Sequence, residues 1–214
     1  KVKVVLDCAN GATSTIAPDI FKALGATVYT LAANPPGTNI NENCGSTHPD
    51  GLASAVLQHQ ADCGFAFDGD GDRVVAVNQK GQLKDGDDIL ALVLSLPAYQ
   101  GLTRVVGTSM TNQGFEQYLV KTGKQFLRTA VGEKYVYEVL DKENLPIGGE
   151  VSGHIIMRDY LPTGDGIFVA LKVLEAILHH NNWDMKTFDK YPQVLINVPV
   201  ANKKNLTQAP FATL

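Results

Sequence analysis

The chain has 214 residues, 44% of them hydrophobic and 19% charged, with a net charge of −4, the make-up of an ordinary globular protein with room for one large or two small domains. The acidic balance excludes a nucleic-acid face, and no apolar run is long enough to span a membrane; the longest, Ile89 to Leu96, reads as a buried helix. Cys8, Cys44 and Cys63 follow no ligand spacing and read as reduced thiols of a cytoplasmic protein.

Without a signal peptide, the chain opens on a strand, Val2 to Leu6, so further sequence is expected upstream. Asp7 to Ala12 is a turn of small residues. A helix follows with Ile16, Ile20, Phe21 and Leu24 on one face, and Gly25 stops it as the residue after the C-cap. Thr27 to Leu31 closes a βαβ unit with parallel strands. Asn34 to Gly45 is a long polar loop, of a length that suggests a role. Ser46-Thr47-His48-Pro49-Asp50 reads as a helix start, with His48 in the cap region, and the helix runs to Gln60. After the strands Gly64–Phe67 and Val74–Val77, Gln79 to Gln82 turns a hairpin. Asp85-Gly86-Asp87-Asp88 then opens an apolar helix ending at Pro97, its acids suited to a helix N-terminus.

The pattern restarts at Arg104. Strand Arg104–Ser109, a small-residue loop, a helix with Phe115, Tyr118 and Leu119, and strand Gln125–Arg128 repeat the opening, and a helix Glu133–Leu140 follows. Ile147-Gly148-Gly149 enters a second loop, Ile155-Ile156-Met157 leaves it, and Thr163-Gly164-Asp165-Gly166 starts a helix to about His180. Gly86-Asp87 and Gly164-Asp165 take equivalent places in the two halves. The order predicts an α/β chain of two similar three-layer α/β/α units, each with a mixed, mostly parallel sheet and helices on both faces. The units are expected at 1–98 and 99–195. Val194 to Val200 reads as one more strand, and 196–214 as a linker.

Two loops carry the chemistry. Asp68-Gly69-Asp70-Gly71-Asp72-Arg73 packs three carboxylates between two short apolar strands. Carboxylates so close repel unless a cation sits among them, and hard oxygen ligands without His or Cys favour Mg²⁺ or Ca²⁺ over zinc. An EF-hand loop counted from Asp68 would need Gly and Glu where Arg73 and Gln79 stand. A dinucleotide fingerprint would need a third glycine at Val74 and a helix after it. A plain Asp-Gly turn needs one such pair, not three stacked acids. Arg73, beside a metal site, implies an anion, and phosphate is the first candidate.

The second loop, Glu150-Val151-Ser152-Gly153-His154, offers an acceptor, a hydroxyl and an imidazole, a set suited to sugar hydroxyls. A serine-hydrolase elbow would need Gly where Glu150 stands and a helix after it. His179 and His180 end a helix, where the dipole suits them.

These two loops, with Leu6 to Ala12, Asn39-Ile40-Asn41, Cys44 to Pro49 and Thr163 to Gly166, resemble the α-D-phosphohexomutases, and within them the bacterial glucosamine branch. The resemblance covers nearly the whole chain and implies a four-domain enzyme of which this chain matches the second and third. It implies Asp68, Asp70 and Asp72 as Mg²⁺ ligands, Arg73 beside the transferring phosphate, and Glu150, Ser152 and His154 as the sugar loop. Gly132 would belong to a further ligand-facing turn. The implied substrate is a phosphorylated hexosamine, and the implied reaction interconverts its 6- and 1-phosphates through a phosphoserine and a bisphosphate, toward UDP-N-acetylglucosamine and the cell wall. The serine and a substrate-phosphate loop would come from domains 1 and 4, the missing partners of these units, so the chain alone is expected to be inactive. Glu133-Lys134 stands where that branch usually has Asp-Arg, and Val151 where Gln or Met is usual. A phosphomannomutase or phosphoglucomutase of the same superfamily, an aspartyl-phosphate enzyme and a non-catalytic Mg²⁺-binding module are the alternatives.

Overall fold

The computed structural model describes residues 1–196 and Pro199. In chain order the elements are β1 (Lys3–Asp7), α1 (Thr13–Ala23), β2 (Thr27–Leu31), α2 (Asp50–Gln58), β3 (Cys63–Phe67), β4 (Val74–Asn78), β5 (Leu83–Lys84) and α3 (Gly86–Leu94). Then come β6 (Arg104–Thr108), α4 (Gln113–Lys121), β7 (Gln125–Thr129), α5 (Glu133–Lys142), β8 (Ile147–Gly149), β9 (Ile155–Met157) and α6 (Gly166–His180). The strands form two mixed sheets in the orders β2-β1-β3-β4-β5 and β7-β6-β8-β9. In each, three strands run parallel, as βαβ crossovers require, and a hairpin adds one antiparallel strand beside them, β4 or β9, with β5 extending the first sheet at its edge.

Buried on both faces, the central strands read as continuous apolar runs. In β1, Val4 and Leu6 face one core while Val5 faces another with Leu52 and Val56 of α2. In β6, Val105 joins the first core and Val106 packs with Val136 and Leu140 of α5. That first core is common to both sheets, and α3 lies inside it with all nine residues buried, touching β4, β8, α4 and α6.

Helix α1 differs from its expected face. Ala17 and Phe21 are the apolar side chains it buries, with Thr13, Ser14 and Pro18 beside them, whereas Ile16 and Leu24 are exposed. Ile16 instead lines an open hollow with Ala12 and Thr13. Its end is as expected: Ala26 N–H donates to Phe21 O and Gly25 N–H to Lys22 O, the paired bonds of a Schellman stop. Helix α2 begins after Pro49, ends at Gln58 and has no side-chain cap, so His48 does not cap it. Asp85 N-caps α3 in a reciprocal capping box with Asp88, and Asp165 N-caps α6. The matching pairs are therefore Asp85-Gly86 and Asp165-Gly166, a shift from the expected equivalence. Of the expected last strand, Val194 to Ile196 and Pro199 carry no strand; the rest of it and most of the expected linker lie outside the described residues.

Candidate metal and sugar site

Both candidate loops are hairpin loops at equivalent places, Asp68–Arg73 between β3 and β4 and Glu150–His154 between β8 and β9. The strands set them end to end. Arg73 and His154 form an antiparallel bridge, and Val74 N–H donates to Gly153 O at 3.1 Å. Each loop is also held by the first residue of a helix. Gly86, first residue of α3, donates to Val151 O at 3.0 Å, and Gly166, first residue of α6, donates to Gly71 O at 2.8 Å. Both positions are crowded by backbone: a Cβ on Gly86 would lie 1.9 Å from Glu150 O, and one on Gly166 2.6 Å from Arg73 O.

Within the first loop, carboxylate oxygens of Asp68, Asp70 and Asp72 lie within 4.8 Å of one another. Asp68 is the most enclosed, with its side chain 13% exposed. Burial first, then the Asp72 carboxyl, pushes the Asp68 carboxyl above its ordinary range. Asp72 Oδ1 is buried without a hydrogen-bond partner. Arg73 folds back, its N–H donating to Asp68 Oδ1 at 3.1 Å and its Nε lying 3.5 Å from Asp68 Oδ2. Its side chain is 44% exposed, which leaves the outer guanidinium edge open to an anion.

The second loop faces the same space. His154 is buried, with Nδ1 3.1 Å from Asp72 Oδ2 and Nε2 3.4 Å from Glu133 Oε1. Glu150 accepts from Gly132 N–H at 2.9 Å, and Ser152 is exposed. Asp72, Arg73, Gly132, Glu133, Glu150, Ser152 and His154 all line one cavity of about 320 Å³, with Thr108 and Met110 at its floor. That is within the range of small-molecule sites. A second hollow of about 250 Å³ opens on the far side of Asp70 and Asp72, beside Ile16, Thr163 and Asp165. Every expected site residue thus gathers at one junction. Sequence reasoning missed the Glu133 contact with His154 and the places of Thr108 and Met110, since these groups are far apart in the chain.

Phosphoglucomutase/phosphomannomutase α/β/α domain II matches residues 1–81, and domain III of the same family matches residues 85–192. The chain belongs to the phosphoglucomutase/phosphomannomutase family. Among curated members of that family, the phosphoglucosamine mutase of Methylobacillus flagellatus is 50% identical over 211 residues, covering 96% of this chain and 46% of its own length. The chain spans about half the length of the curated relatives it matches. Among solved structures, a phosphoglucomutase/phosphomannomutase family protein of Burkholderia thailandensis superposes with a TM-score of 0.72 at 27% identity, over 83% of this chain and 40% of that one. The N-acetylphosphoglucosamine mutase of Aspergillus fumigatus, solved with GlcNAc-6P and magnesium, shares the fold at a TM-score of 0.71 and 20% identity, over 94% of this chain and 48% of its own. The chain is a homologue of phosphoglucosamine mutases containing family domains II and III.

Proposed function

We propose that these residues are the metal-binding and sugar-recognising half of a phosphoglucosamine mutase, which interconverts glucosamine 6-phosphate and glucosamine 1-phosphate through a phosphoserine and a bisphosphate. The observation that carries this reading is the convergence of Asp68, Asp70 and Asp72 beside Arg73, at the lip of the cavity lined by Glu150, Ser152 and His154. On this reading the two units divide the labour, with the acids on the first and the sugar loop on the second.

The acids fit a hard dication. Three carboxylates and one guanidinium leave an excess of two negative charges, Asp72 Oδ1 lacks a donor, and the oxygen-only set suits Mg²⁺. When bound, Mg²⁺ neutralises charge on a transferring phosphoryl group and holds it for in-line displacement. The chain's own residues do the rest. Arg73 presents its open guanidinium edge to a phosphoryl oxygen, and its backbone keeps Asp68 turned inward. Glu150, oriented by Gly132 N–H, accepts from sugar hydroxyls, and exposed Ser152 donates or accepts beside it. A bisphosphate must be accepted in two orientations, and a shallow hydroxyl-gripping loop permits that better than a deep asymmetric pocket.

Three free, buried thiols suit a reducing compartment, which supports a cytoplasmic enzyme. No helix among the described residues is long and apolar enough to cross a membrane. The phosphoserine and the substrate-phosphate loop would be supplied by the remaining half of the protein, so these residues alone should turn over no glucosamine 6-phosphate.

The test is a graft. This chain replaces the matching half of the Methylobacillus flagellatus mutase, and glucosamine 6-phosphate, glucose 6-phosphate and mannose 6-phosphate are assayed. Turnover of the glucosamine ester, abolished by Asp68→Asn, supports the proposal. A graft that isomerises only the glucose or mannose ester assigns the chain to that branch instead.

A further inference from the structure

We infer that Asp7 is a positioning residue for the aspartate loop, fixing the carbonyls of the two residues that flank Asp68 without touching substrate or metal. The inference rests on the reading of Asp68, Asp70 and Asp72 as a metal seat.

Asp7 ends β1 and is 2% exposed. An ionised carboxylate so deep costs several kcal/mol unless its oxygens are satisfied, so its partners are informative. Both are backbone N–H groups: Oδ1 accepts from Ala9 N–H at 3.0 Å and Oδ2 from Gly45 N–H at 2.9 Å. One side chain thus ties two separate turns together. The first is tight, with Ala9 and Asn10 both in the left-handed region at φ +52° and +48°. Such a conformation is unfavourable for alanine and persists only where the surroundings hold it.

Each turn then grips the aspartate loop. From the first, Ala12 N–H donates to Gly69 O at 2.9 Å. From the second, Ser46 N–H donates to Phe67 O at 2.8 Å. The two carbonyls flank Asp68, so the clamp sets the direction in which its carboxylate leaves the chain. The turns are joined to each other by Asn41 N–H, which donates to Ala9 O at 2.9 Å.

The second unit provides an internal comparison. Thr108 ends β6 at the position that Asp7 holds in β1, and its hydroxyl accepts from Met110 N–H at 3.2 Å, the same i to i+2 bond. A hydroxyl has no second oxygen with which to reach a distant turn. The extra arm of Asp7 is therefore found in the unit that carries the three acids.

The experiment is Mn²⁺ binding to the 214-residue chain, followed by electron paramagnetic resonance, with Mn²⁺ standing in for Mg²⁺. Asp7→Thr keeps the local turn bond and deletes the arm to Gly45; Gly45→Ala attacks the same arm from its other end, where a Cβ would lie 2.6 Å from Phe67 O. The expected result is about a tenfold or greater loss of Mn²⁺ affinity in Asp7→Thr, with an unchanged circular dichroism spectrum. Should Asp7→Thr fail to fold, Gly45→Ala carries the same expectation. Wild-type affinity in the folded variants overturns the positioning role and leaves the metal seat standing. Absence of Mn²⁺ binding by the wild-type chain overturns both.

Discussion

Asp72 Oδ2 lies 3.1 Å from Nδ1 of His154, and the two residues belong to different units. The contact couples the third acid of one loop to the last residue of the other. His154 is buried, and its other ring nitrogen lies 3.4 Å from Glu133 Oε1 without a hydrogen bond, so the imidazole sits between two carboxylates. Removing it would take a partner from Asp72, whose side chain is 30% exposed, and empty a buried site. His154→Ala is expected to destabilise the chain by about 0.5–3 kcal/mol, the usual range for losing a buried side chain. The midpoint of urea unfolding measures it, and an unchanged midpoint would argue against the coupling.

Metal linkage gives a second expectation. A ligand that binds only the folded chain stabilises it by about 2.7 kcal/mol at a hundred times its Kd. For a chain of this size that raises the thermal midpoint by roughly 5–10 °C. Mg²⁺ should produce such a rise, and a chelator should reverse it. In Asp68→Asn/Asp70→Asn/Asp72→Asn the rise should vanish, while the metal-free midpoint should exceed that of the wild type because three crowded charges are gone.

Two glycines with the same backbone conformation should respond differently to alanine. Gly153 and Gly25 have φ of +91° and +92°. Around Gly25 nothing lies within 4 Å of an added Cβ, whereas at Gly153 that atom would sit 2.1 Å from Val74 O. Gly25→Ala should cost only the conformational penalty, about 1 kcal/mol. Gly153→Ala must also part the two hairpin loops, and a loss of about 3 kcal/mol or more is expected. Equal losses in urea unfolding would show that the junction yields easily.

Asp87 should make stability depend on pH. Burial pushes its carboxyl up to about 7, against the opposing pull of Asn112 N–H, which donates to it at 2.8 Å. Below about pH 4 folded and unfolded chains both hold the proton. Between there and about pH 7 the unfolded chain releases it first, so stability falls as pH rises, and the contribution is gone above the folded pKa. Asp87→Asn retains an oxygen for Asn112 and cannot ionise. It should flatten this slope and be more stable than the wild type at about pH 8, by on the order of 2–4 kcal/mol. Urea midpoints from about pH 5 to about pH 8 check both the slope and its loss.

The fold was legible where the chain repeats itself. Short apolar strands bounded by glycine and acid located β3 and β4, and the same grammar found β8 and β9. The aspartate loop was legible because charge crowding is a local property. Less of α1 was, since a helix can bury Ala17 and Phe21 and leave Ile16 outside; hydrophobicity alone does not say which stripe meets the sheet. The neighbours of His154 were not legible at all. Glu133 at the start of α5 and Asp72 in the first loop reach it from separate elements, and only the packed arrangement places them there. Asp85 illustrates a mixed case: its capping role could be read from the acids around Gly86, but its pairing with Lys190 depends on a distant segment returning to the helix start.

Gly86 and Gly166, each the first residue of a helix, brace the two hairpin loops in the same way, and the brace on the aspartate loop comes from the other unit. Such a pairing lets the two copies diverge in chemistry, one toward acids and one toward hydroxyl recognition, while the shared contact keeps them in register. It also means that severing the chain between its copies would strip the aspartate loop of its Gly166 brace, so the first half on its own should not reproduce the geometry of the pair.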